Sequence, residues 1–376
     1  MCDVGNYYGF LAAFSQRHPA LSWQSQSWPD VEEWRSRGRA KMCELLCYAP
    51  APVSPNAEAL SSIKMDGYTR HLVRYAVASD RTTEAFLLIP DRLTEPAPAV
   101  IALHDHGGFY YHGKEKIALT DTPSQPLQAH IRESYGGRPY ADELARQGFV
   151  VLAPDAFYFG SQRLDPDAVS PRLTDALRRH VQGSDDYIRA YQGFAWQMEE
   201  LVARTIFAAG ATWPGILFQG DRASLDFLLT RPEVDARRVG CVGLSIGGYR
   251  AAHLFALDAR IQCGVVAGWM TTYGSLLRDH IAHHTWMVYV PGQTPWLDLP
   301  DVVTLNAPRP LMVINCNKDA LFPLDGMRDA ESIIRRVYDA LGHADQFRCA
   351  YYDAPHSFPI SAQDEAFAWL TKWLRE

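Results

Sequence analysis

The sequence predicts an α/β fold in which a mostly parallel central sheet carries helices on both faces. Short, continuously apolar runs are typical of strands buried on both faces. They include residues 99–103, 149–152, 238–244, 261–266 and 311–314. Segments with apolar residues at helical spacing separate these runs. Because strands that alternate with helices pair in parallel, the whole series indicates one layered α/β sheet.

The remaining elements follow from the local pattern. Two strands at 72–78 and 85–90 flank a polar turn, and residues 347–352 form a last strand. A proline at 232 ends one helix, because the residue before proline disfavours helical backbone. No period of 20–50 residues repeats, so a solenoid is not indicated. The predicted helices cover residues 140–147, 223–229, 247–257, 330–341 and 362–374.

The chain divides into an extension and one core. Residues 1–67 are predicted to form a helical N-terminal extension, and residues 68–376 one α/β domain. Three inserts, at 107–139, 156–218 and 268–308, interrupt this domain. Each begins just after the carboxyl end of a predicted strand, the edge at which open α/β sheets bind ligands. The inserts are therefore candidate lids or pocket walls, and surface elaboration or contacts in a homo-oligomer are the alternatives.

Composition excludes several functional classes. Lys and Arg number 36 against 43 Asp and Glu, giving a net charge of −7, so no broad surface for nucleic acid is expected. The sequence contains no run of about 20 apolar residues, so no membrane span is predicted.

Cysteine use and the first residues bear on the compartment. The cysteines lack C-x-x-C spacing and lie mostly in apolar runs, which favours structural thiols in a reducing compartment. The first fourteen residues lack the features of a signal peptide, so a cytoplasmic location is expected.

One motif carries the clearest chemistry. Gly243-Leu244-Ser245-Ile246-Gly247 is a G-x-S-x-G between a predicted strand and a predicted helix. This is the context that a nucleophile elbow requires. Glycines on both sides of the serine let neighbouring backbone approach closely. Ser245 is therefore the predicted nucleophile, and an ordinary Gly-Ser turn is the alternative.

Two later residues complete a predicted Ser-His-Asp triad. A serine hydroxyl needs a positioned base to take its proton. Asp319 follows the strand at 311–314, and His356 follows the last strand and precedes the last helix. The chain order of serine, acid and histidine is that of α/β folds with a nucleophile elbow. His356 is predicted as the general base and Asp319 as the group that orients its ring. Asp325 is close enough to compete for that role.

The same chemistry needs hydrogen-bond donors for the oxyanion of the tetrahedral intermediate. The backbone N–H of Ile246, the residue after the nucleophile, is one predicted donor. The second is expected from the loop HDHGG at residues 104–108, where glycines allow a substrate carbonyl to approach. The N–H groups of His106 and Gly107 are both candidates, and the sequence does not choose between them.

Histidine clusters raise a metal-binding alternative. His104 and His106 form an H-x-H, and three histidines lie at 280–284 beside Asp279. Neither cluster matches H-E-x-x-H, and the cysteines supply no zinc ribbon. Structural or pocket-lining histidines are therefore favoured, and no metal is predicted. A phosphate-binding glycine loop is also lacking, so no nucleotide cofactor is predicted.

These motifs together resemble a known superfamily. Residues 224–251, with LHDHGG upstream and NKDALFP and APHSF downstream, look like the α/β-hydrolases. More narrowly, they are similar to the dienelactone-hydrolase-like and acetyl-xylan-esterase-like branch. The resemblance covers about residues 68–376 and implies a catalytic domain that cleaves carboxylic esters without a cofactor. Dienelactone hydrolases themselves use a cysteine nucleophile, and Ser245 occupies that position here, which favours ordinary ester cleavage over lactone hydrolysis.

The sequence thus predicts a serine carboxylic ester hydrolase that acts on a small or compact ester through an acyl-enzyme intermediate. Phe109, Tyr158 and Trp269, which lie in the inserts, are candidate pocket residues, and core packing is the alternative. Lys114 and Arg278 are candidate anchors for an acidic substrate. Two alternatives remain: hydrolysis of a thioester, amide, lactone or carbon–carbon bond by the same triad, and a non-catalytic binding protein with a vestigial pocket.

Overall fold

The structure, a computed structural model, describes residues 2–15 and 18–375. Within these ranges one sheet contains nine strands, which are, in chain order, Glu58–Lys64 (β1), Tyr68–Ala78 (β2), Arg81–Pro90 (β3), Ala97–Leu103 (β4), Val150–Pro154 (β5), Val234–Leu244 (β6), Cys263–Ala267 (β7), Leu311–Cys316 (β8) and Phe347–Tyr352 (β9). Their order across the sheet is β1-β2-β3-β5-β4-β6-β7-β8-β9. Strands β4 to β9 pair in parallel, and β1 to β3 form an antiparallel edge. The predicted fold class is confirmed.

The described helices are Tyr8–Ala12 (α1), Val31–Leu45 (α2), Gln125–Tyr135 (α3), Tyr140–Arg146 (α4), Pro171–Thr174 (α5), Asp185–Ala208 (α6), Trp213–Leu228 (α7), Ile246–Leu257 (α8), Tyr273–Leu276 (α9), Leu299–Thr304 (α10), Leu324–Ala340 (α11) and Ile360–Leu374 (α12). The two longest helices of the second insert begin at serine or threonine caps, Ser184 for α6 and Thr212 for α7. Their hydroxyl oxygens accept hydrogen bonds from N–H groups of the first helical turn. No single one of these helices is long and apolar enough to span a membrane, although α6 and α7, bent by 87°, pass that test as a pair by length and composition alone.

The central strands are buried on both faces. Every residue of β4, β5, β7 and β8 is buried. Alternate residues of β4 belong to different hydrophobic clusters, because successive side chains of a strand point to opposite faces of the sheet. Ile101 and Leu103 pack in one cluster, and Val100 and Ala102 pack in the other. The continuous apolar runs in the sequence therefore arise because helices cover both faces of the sheet.

The strand order reverses beside β4, and this reversal positions the site. After β4 the chain moves outward to β5, and it then returns across β4 to form β6. The carboxyl ends of β4 and β6 are thus neighbours at a topological switch point, where open α/β sheets bind ligands. The start of α8 lies against the end of β4, since a Cβ on Gly247 would collide with the carbonyl oxygen of Leu103.

The prediction that residues 1–67 form a helical N-terminal extension is wrong for its last part. Residues Glu58–Lys64 form β1, which pairs with β2 and lengthens the central sheet, so the predicted boundary at 67/68 falls within a β-hairpin. Most of β1 is exposed, and its sequence therefore lacks the apolar alternation that marks a half-buried strand. Residues 1, 16 and 17 of the extension lie outside the described part of the chain.

The extension is anchored on the third insert. The N–H groups of Ala20 and Leu21 each donate to a carbonyl oxygen there, at 2.9 Å. The hydroxyl of Ser22 donates to Asp301 at 2.6 Å. Trp34 is fully buried, and its indole N–H donates to the carbonyl of Leu21 at 3.0 Å. The extension is thus part of the packed structure around the third insert.

Candidate active site

Ser245 occupies a strained turn between β6 and α8. Its φ of 59° and ψ of −122° lie in a region that costs a residue other than glycine about 1–3 kcal/mol. The surrounding backbone fixes this conformation: the N–H of Ser245 donates to the carbonyl of Ala267 at 2.9 Å. A Cβ on Gly243 would collide with the backbone of Gly247. Both glycines of the motif are therefore required by close packing, and Ser245 is left half-buried at the strand end.

The loops after β8 and β9 bring Asp319 and His356 together. The Nδ1 of His356 lies 2.6 Å from Oδ2 of Asp319, whose side chain is 1% exposed. The other carboxylate oxygen accepts a hydrogen bond from the N–H of Leu321 at 2.8 Å. Among the described residues, the buried Nε2 of His356 has no hydrogen-bond partner. The alternative acid, Asp325, instead accepts from the N–H of Gly326 at the start of α11.

Gly268 places the imidazole next to the serine turn. It directly follows Ala267, the residue that accepts from the N–H of Ser245, and it has a φ of +58°. A Cβ built on Gly268 would lie 3.1 Å from Cε1 of His356 and 3.0 Å from Cδ1 of Leu244. The ring of His356 therefore lies against the backbone beside Ser245. The pair of His356 and Asp319 therefore lies at the same edge of the sheet as the turn of Ser245.

The loop after β4 encloses a buried carboxylate. Asp105 accepts a hydrogen bond from the hydroxyl of Tyr135 at 2.6 Å, and its carboxylate lies 3.1 Å from Nε2 of His130. Burial alone would raise the pKa of Asp105, but the charges and hydrogen bonds of His130, Lys116 and Tyr135 hold it well below its ordinary value. Within the described residues, the ring nitrogens of neighbouring His104 bond to backbone alone, through the carbonyl of Asp105 and the N–H of Ala156. Asp105 is thus a charged structural group inside the loop.

Within residues 2–15 and 18–375, the backbone N–H groups of His106 and Gly107 in this loop have no acceptor. The next N–H, of Gly108, donates to Nδ1 of His106 at 3.0 Å. The first N–H groups of a helix also lack intrahelical acceptors, and Ile246 begins α8. The three N–H groups predicted as oxyanion donors are therefore among those that the local structure leaves unused.

Glu199, on α6, links this loop to the third insert. Its Oε2 lies 3.3 Å from Nε2 of His106 and accepts from the hydroxyl of Tyr110 at 2.7 Å. Its Oε1 accepts from the N–H of Trp286 at 3.0 Å. Burial by itself raises the pKa of Glu199, but His106, Thr285 and Tyr110 hold it below the ordinary value. The sequence pattern gave no signal for this residue, because its partners lie far away along the chain.

A cavity of about 890 Å³ lies between the extension, α6 and the third insert. His284, on its wall, packs its ring 4.8 Å from that of Phe322, which lies 5.9 Å from the ring of His356. Burial lowers the pKa of His284 to about 4, so this ring is neutral at pH 7. The wall is mostly apolar, with a few acidic groups, and includes Asp3, Tyr8, Leu11, Trp196, Glu199, Glu200, Ile281, Trp286 and Tyr289.

The three predicted pocket residues lie elsewhere. Phe109 stacks on His130 at 5.1 Å, and Trp269 packs 5.4 Å from Phe322, beside the imidazole of the site. Tyr158 belongs to the core, where its hydroxyl donates to a backbone carbonyl of α6 at 2.9 Å. None of them is among the residues that line the large cavity.

The two predicted anchors for an acidic substrate both have carboxylate partners within the chain. Lys114 is buried, and its Nζ donates to Asp155 at 2.8 Å. Arg278 is exposed and pairs with Asp279 at 3.2 Å. In the described part of the chain, no group of three His, Cys, Asp or Glu side chains is placed to hold a metal ion.

The fold defines the chain as an α/β-hydrolase. Residues 132–368 match the model of the Dienelactone hydrolase family. The chain belongs to this family and is a hydrolase, which confirms the resemblance carried by its motifs.

Proteins of known sequence or structure agree with this assignment. YtaP of Bacillus subtilis strain 168, provisionally named a hydrolase, is 25% identical over 295 residues, or 77% of this chain and 83% of its own. A Bacteroides fragilis protein provisionally named an acetyl xylan esterase is 18% identical, with a TM-score of 0.69 over 93% of this chain and 82% of its own. A glucuronoyl esterase from Solibacter usitatus is 16% identical, with a TM-score of 0.63 over 96% of this chain and 99% of its own. These two structures show that the fold is shared.

Proposed function

We propose that this hydrolase cleaves carboxylic esters through a covalent acyl-enzyme on Ser245. The observation that carries the proposal is the His356–Asp319 pair beside the strained turn of Ser245, with the Nε2 of His356 unpartnered among the described residues. A free, buried ring nitrogen opposite an acid-bound one is the arrangement that a general base requires.

The proposed reaction has two halves. Ser245 attacks the ester carbonyl while Nε2 of His356 takes the hydroxyl proton, and Asp319 orients the imidazole and stabilises its charged form. The N–H of Ile246 and an N–H of the loop after β4 donate to the oxyanion. His356 then gives its proton to the leaving alcohol. Water, deprotonated by the same imidazole, cleaves the acyl-enzyme and restores Ser245.

The large cavity favours an ester that carries an apolar group, although Ser245, Asp319 and His356 are not among the residues that line it. Its wall is mostly aromatic and aliphatic, and the ring of Phe322 lies between its His284 and the imidazole of His356. A pocket with such a wall binds compact apolar groups by removing their surface from water. The structural relatives named for acetyl and glucuronoyl esters also support the carboxylic ester class.

Ser245→Ala tests the proposal directly. We expect the variant to lose at least about 10,000-fold in kcat on p-nitrophenyl acetate and butyrate. A fluorophosphonate probe should label the wild-type protein at Ser245 and leave the variant unlabelled. Ser332→Ala, which changes an exposed serine on α11, is the matched control and should keep full activity and labelling.

The alternatives predict different results. If Ser245→Ala keeps wild-type turnover, the mechanism is wrong. If the wild-type serine is not labelled, a non-catalytic binding protein is favoured. If the serine is labelled but only thioesters, amides or lactones from a matched panel are cleaved, the triad serves another bond type.

A further inference from the structure

A fully buried lysine lies behind the loop that follows β4. Lys116 is 0% exposed, and its Nζ donates to the carbonyl oxygens of Asp105 at 2.7 Å and His106 at 3.1 Å. The ammonium also lies 4.7 Å from the ring centre of Phe159. Burying a charged amine is unfavourable unless specific partners compensate for the lost water. In this position those partners are backbone carbonyls of the loop.

The two carbonyls belong to consecutive peptide groups. The C=O of Asp105 shares a peptide plane with the N–H of His106, and the C=O of His106 shares one with the N–H of Gly107. Both of these loop N–H groups lack an acceptor in the described ranges. Lys116 therefore binds the carbonyl side of both peptide groups whose N–H sides are the candidate oxyanion donors.

Such binding strengthens both donors. A hydrogen bond to the carbonyl oxygen polarises the amide and makes its N–H more positive, since hydrogen bonds in series polarise one another. The effect is larger when the group bound to the carbonyl is charged and buried. It also fixes the orientation of both peptide planes before the substrate arrives.

The charged groups around Lys116 are paired with other residues, so its ammonium binds backbone carbonyls instead. Among the described residues, no carboxylate forms an ion pair with it. The neighbouring charges are paired elsewhere: Asp105 with His130 and Tyr135, Asp155 and Glu115 with Lys114, and Arg250 with Asp221. The positive charge of Lys116 is thus directed at the loop.

We propose that Lys116 is a positioning residue that orients and polarises the peptide groups of His106 and Gly107, so that both serve as oxyanion donors. The proposal rests on the proposed ester hydrolysis and deepens it. It also replaces a choice between two alternative donors with a pair acted on by one ammonium.

Lys116→Met tests the proposal, because methionine keeps an unbranched apolar stem and removes the charge and the donors. We expect kcat to fall roughly 10- to 100-fold, which is less than the roughly 100- to 1,000-fold cost of removing an oxyanion donor outright because both N–H groups remain, with KM changed less than about threefold. Affinity for a trifluoromethyl ketone, which forms a charged tetrahedral adduct with the serine, should fall by the same factor as kcat. A role in folding alone would lower stability without this parallel loss.

Lys114→Met is the matched control. It removes a second buried lysine two positions away, whose partners are carboxylates rather than the loop carbonyls. We expect it to lower the free energy of unfolding while kcat and trifluoromethyl ketone affinity stay within about threefold of wild type. If Lys116→Met folds and keeps wild-type kcat and inhibitor affinity, or if both variants lose them equally, the proposal is overturned.

The pH profile of the wild-type protein gives a second test that does not depend on a variant folding. Burial is the main cause that lowers the pKa of Lys116 to about 8, and the positive charge of Arg250 acts in the same direction. The negative charges of Asp105, Asp155 and Glu115 partly oppose this shift. The ammonium is therefore lost as pH rises through about 8, and we expect kcat and trifluoromethyl ketone affinity to decline together above that pH. A flat profile to pH 10 in folded protein overturns the proposal. Normal fluorophosphonate labelling of Ser245 in the same samples separates that outcome from a failure of the proposed hydrolysis.

Discussion

Replacing Gly268 by alanine should slow hydrolysis by moving the imidazole of His356. The added Cβ would lie 3.0 Å from Cδ1 of Leu244 and 3.1 Å from Cε1 of His356, both closer than ordinary carbon contacts. Leu244 is buried in the core, where moving its side chain would disturb close packing, whereas the side chain of His356 is 21% exposed. The ring of His356 is therefore the group that shifts, by a few tenths of an ångström.

Two magnitudes follow from this geometry. An alanine at a left-handed φ costs about 1–2 kcal/mol of unfolding free energy, and crowding adds roughly 1 kcal/mol. A shift of about 1 Å at a reacting group can cost on the order of 100-fold in rate. For the smaller displacement at Gly268 we expect kcat to fall roughly 10-fold, with about 2–3 kcal/mol lost in stability.

Gly342→Ala separates the two effects. Gly342 has a φ of +75°, but a Cβ added there would meet no atom within 4 Å. The control variant therefore has the same backbone strain without touching His356. Urea unfolding and p-nitrophenyl ester kinetics should show both variants destabilised and only Gly268→Ala slowed. Equal kcat in the two variants would refute the reasoning.

Two carboxylates give further tests. Asp319→Asn should lower kcat roughly 1,000- to 10,000-fold because His356 loses its orienting partner, while Asp325→Asn should leave ester kinetics near wild type; comparable losses would contradict the acid assignment. Burial raises the pKa of Asp301 to about 7, although its hydrogen bond from Ser22 opposes the shift. Since the folded state then holds this proton more tightly than the unfolded chain, the contribution of Asp301 to stability is greatest at low pH and is lost as pH rises from about 4 to 7. In urea unfolding measured from about pH 4 to 7, Asp301→Asn should reduce the decrease of the unfolding free energy with pH. An unchanged pH dependence would contradict the assignment of that decrease to Asp301.

Local patterns predicted the parallel core well. The strand predicted at 347–352 coincides with β9, and the other central strands differ by a few residues at their ends. Burial on both faces makes such strands continuously apolar, so the signal is strong. The edge strand β1 is mostly exposed and leaves no such run. Helix α6 was missed because its apolar surface is not confined to one side: Trp196 and Leu201 are exposed.

For a related reason, only part of the candidate site could be predicted from the sequence. Ser245 lies in a motif whose strand, turn and helix are adjacent in sequence, so one short segment carries the whole signal. Lys116 and Glu199 gain their roles from contacts between separate segments. The hydrogen-bonded pair of Glu199 and His106, for example, is 93 positions apart. Neither spacing nor composition encodes such a contact.

The pairing of β4 with β6 also has a consequence for the order in which the protein assembles. Leu103 lies beside Gly243 in that ladder, and the intervening chain includes β5 and the helices of two inserts. Closing so long a segment loses much chain entropy before any contact compensates for it, and such pairings form slowly. Helices and the β2–β3 hairpin require only local contacts. During refolding, we therefore expect helical structure to form before the serine turn meets the loop after β4, and regained hydrolysis to mark the completion of this long-range pairing.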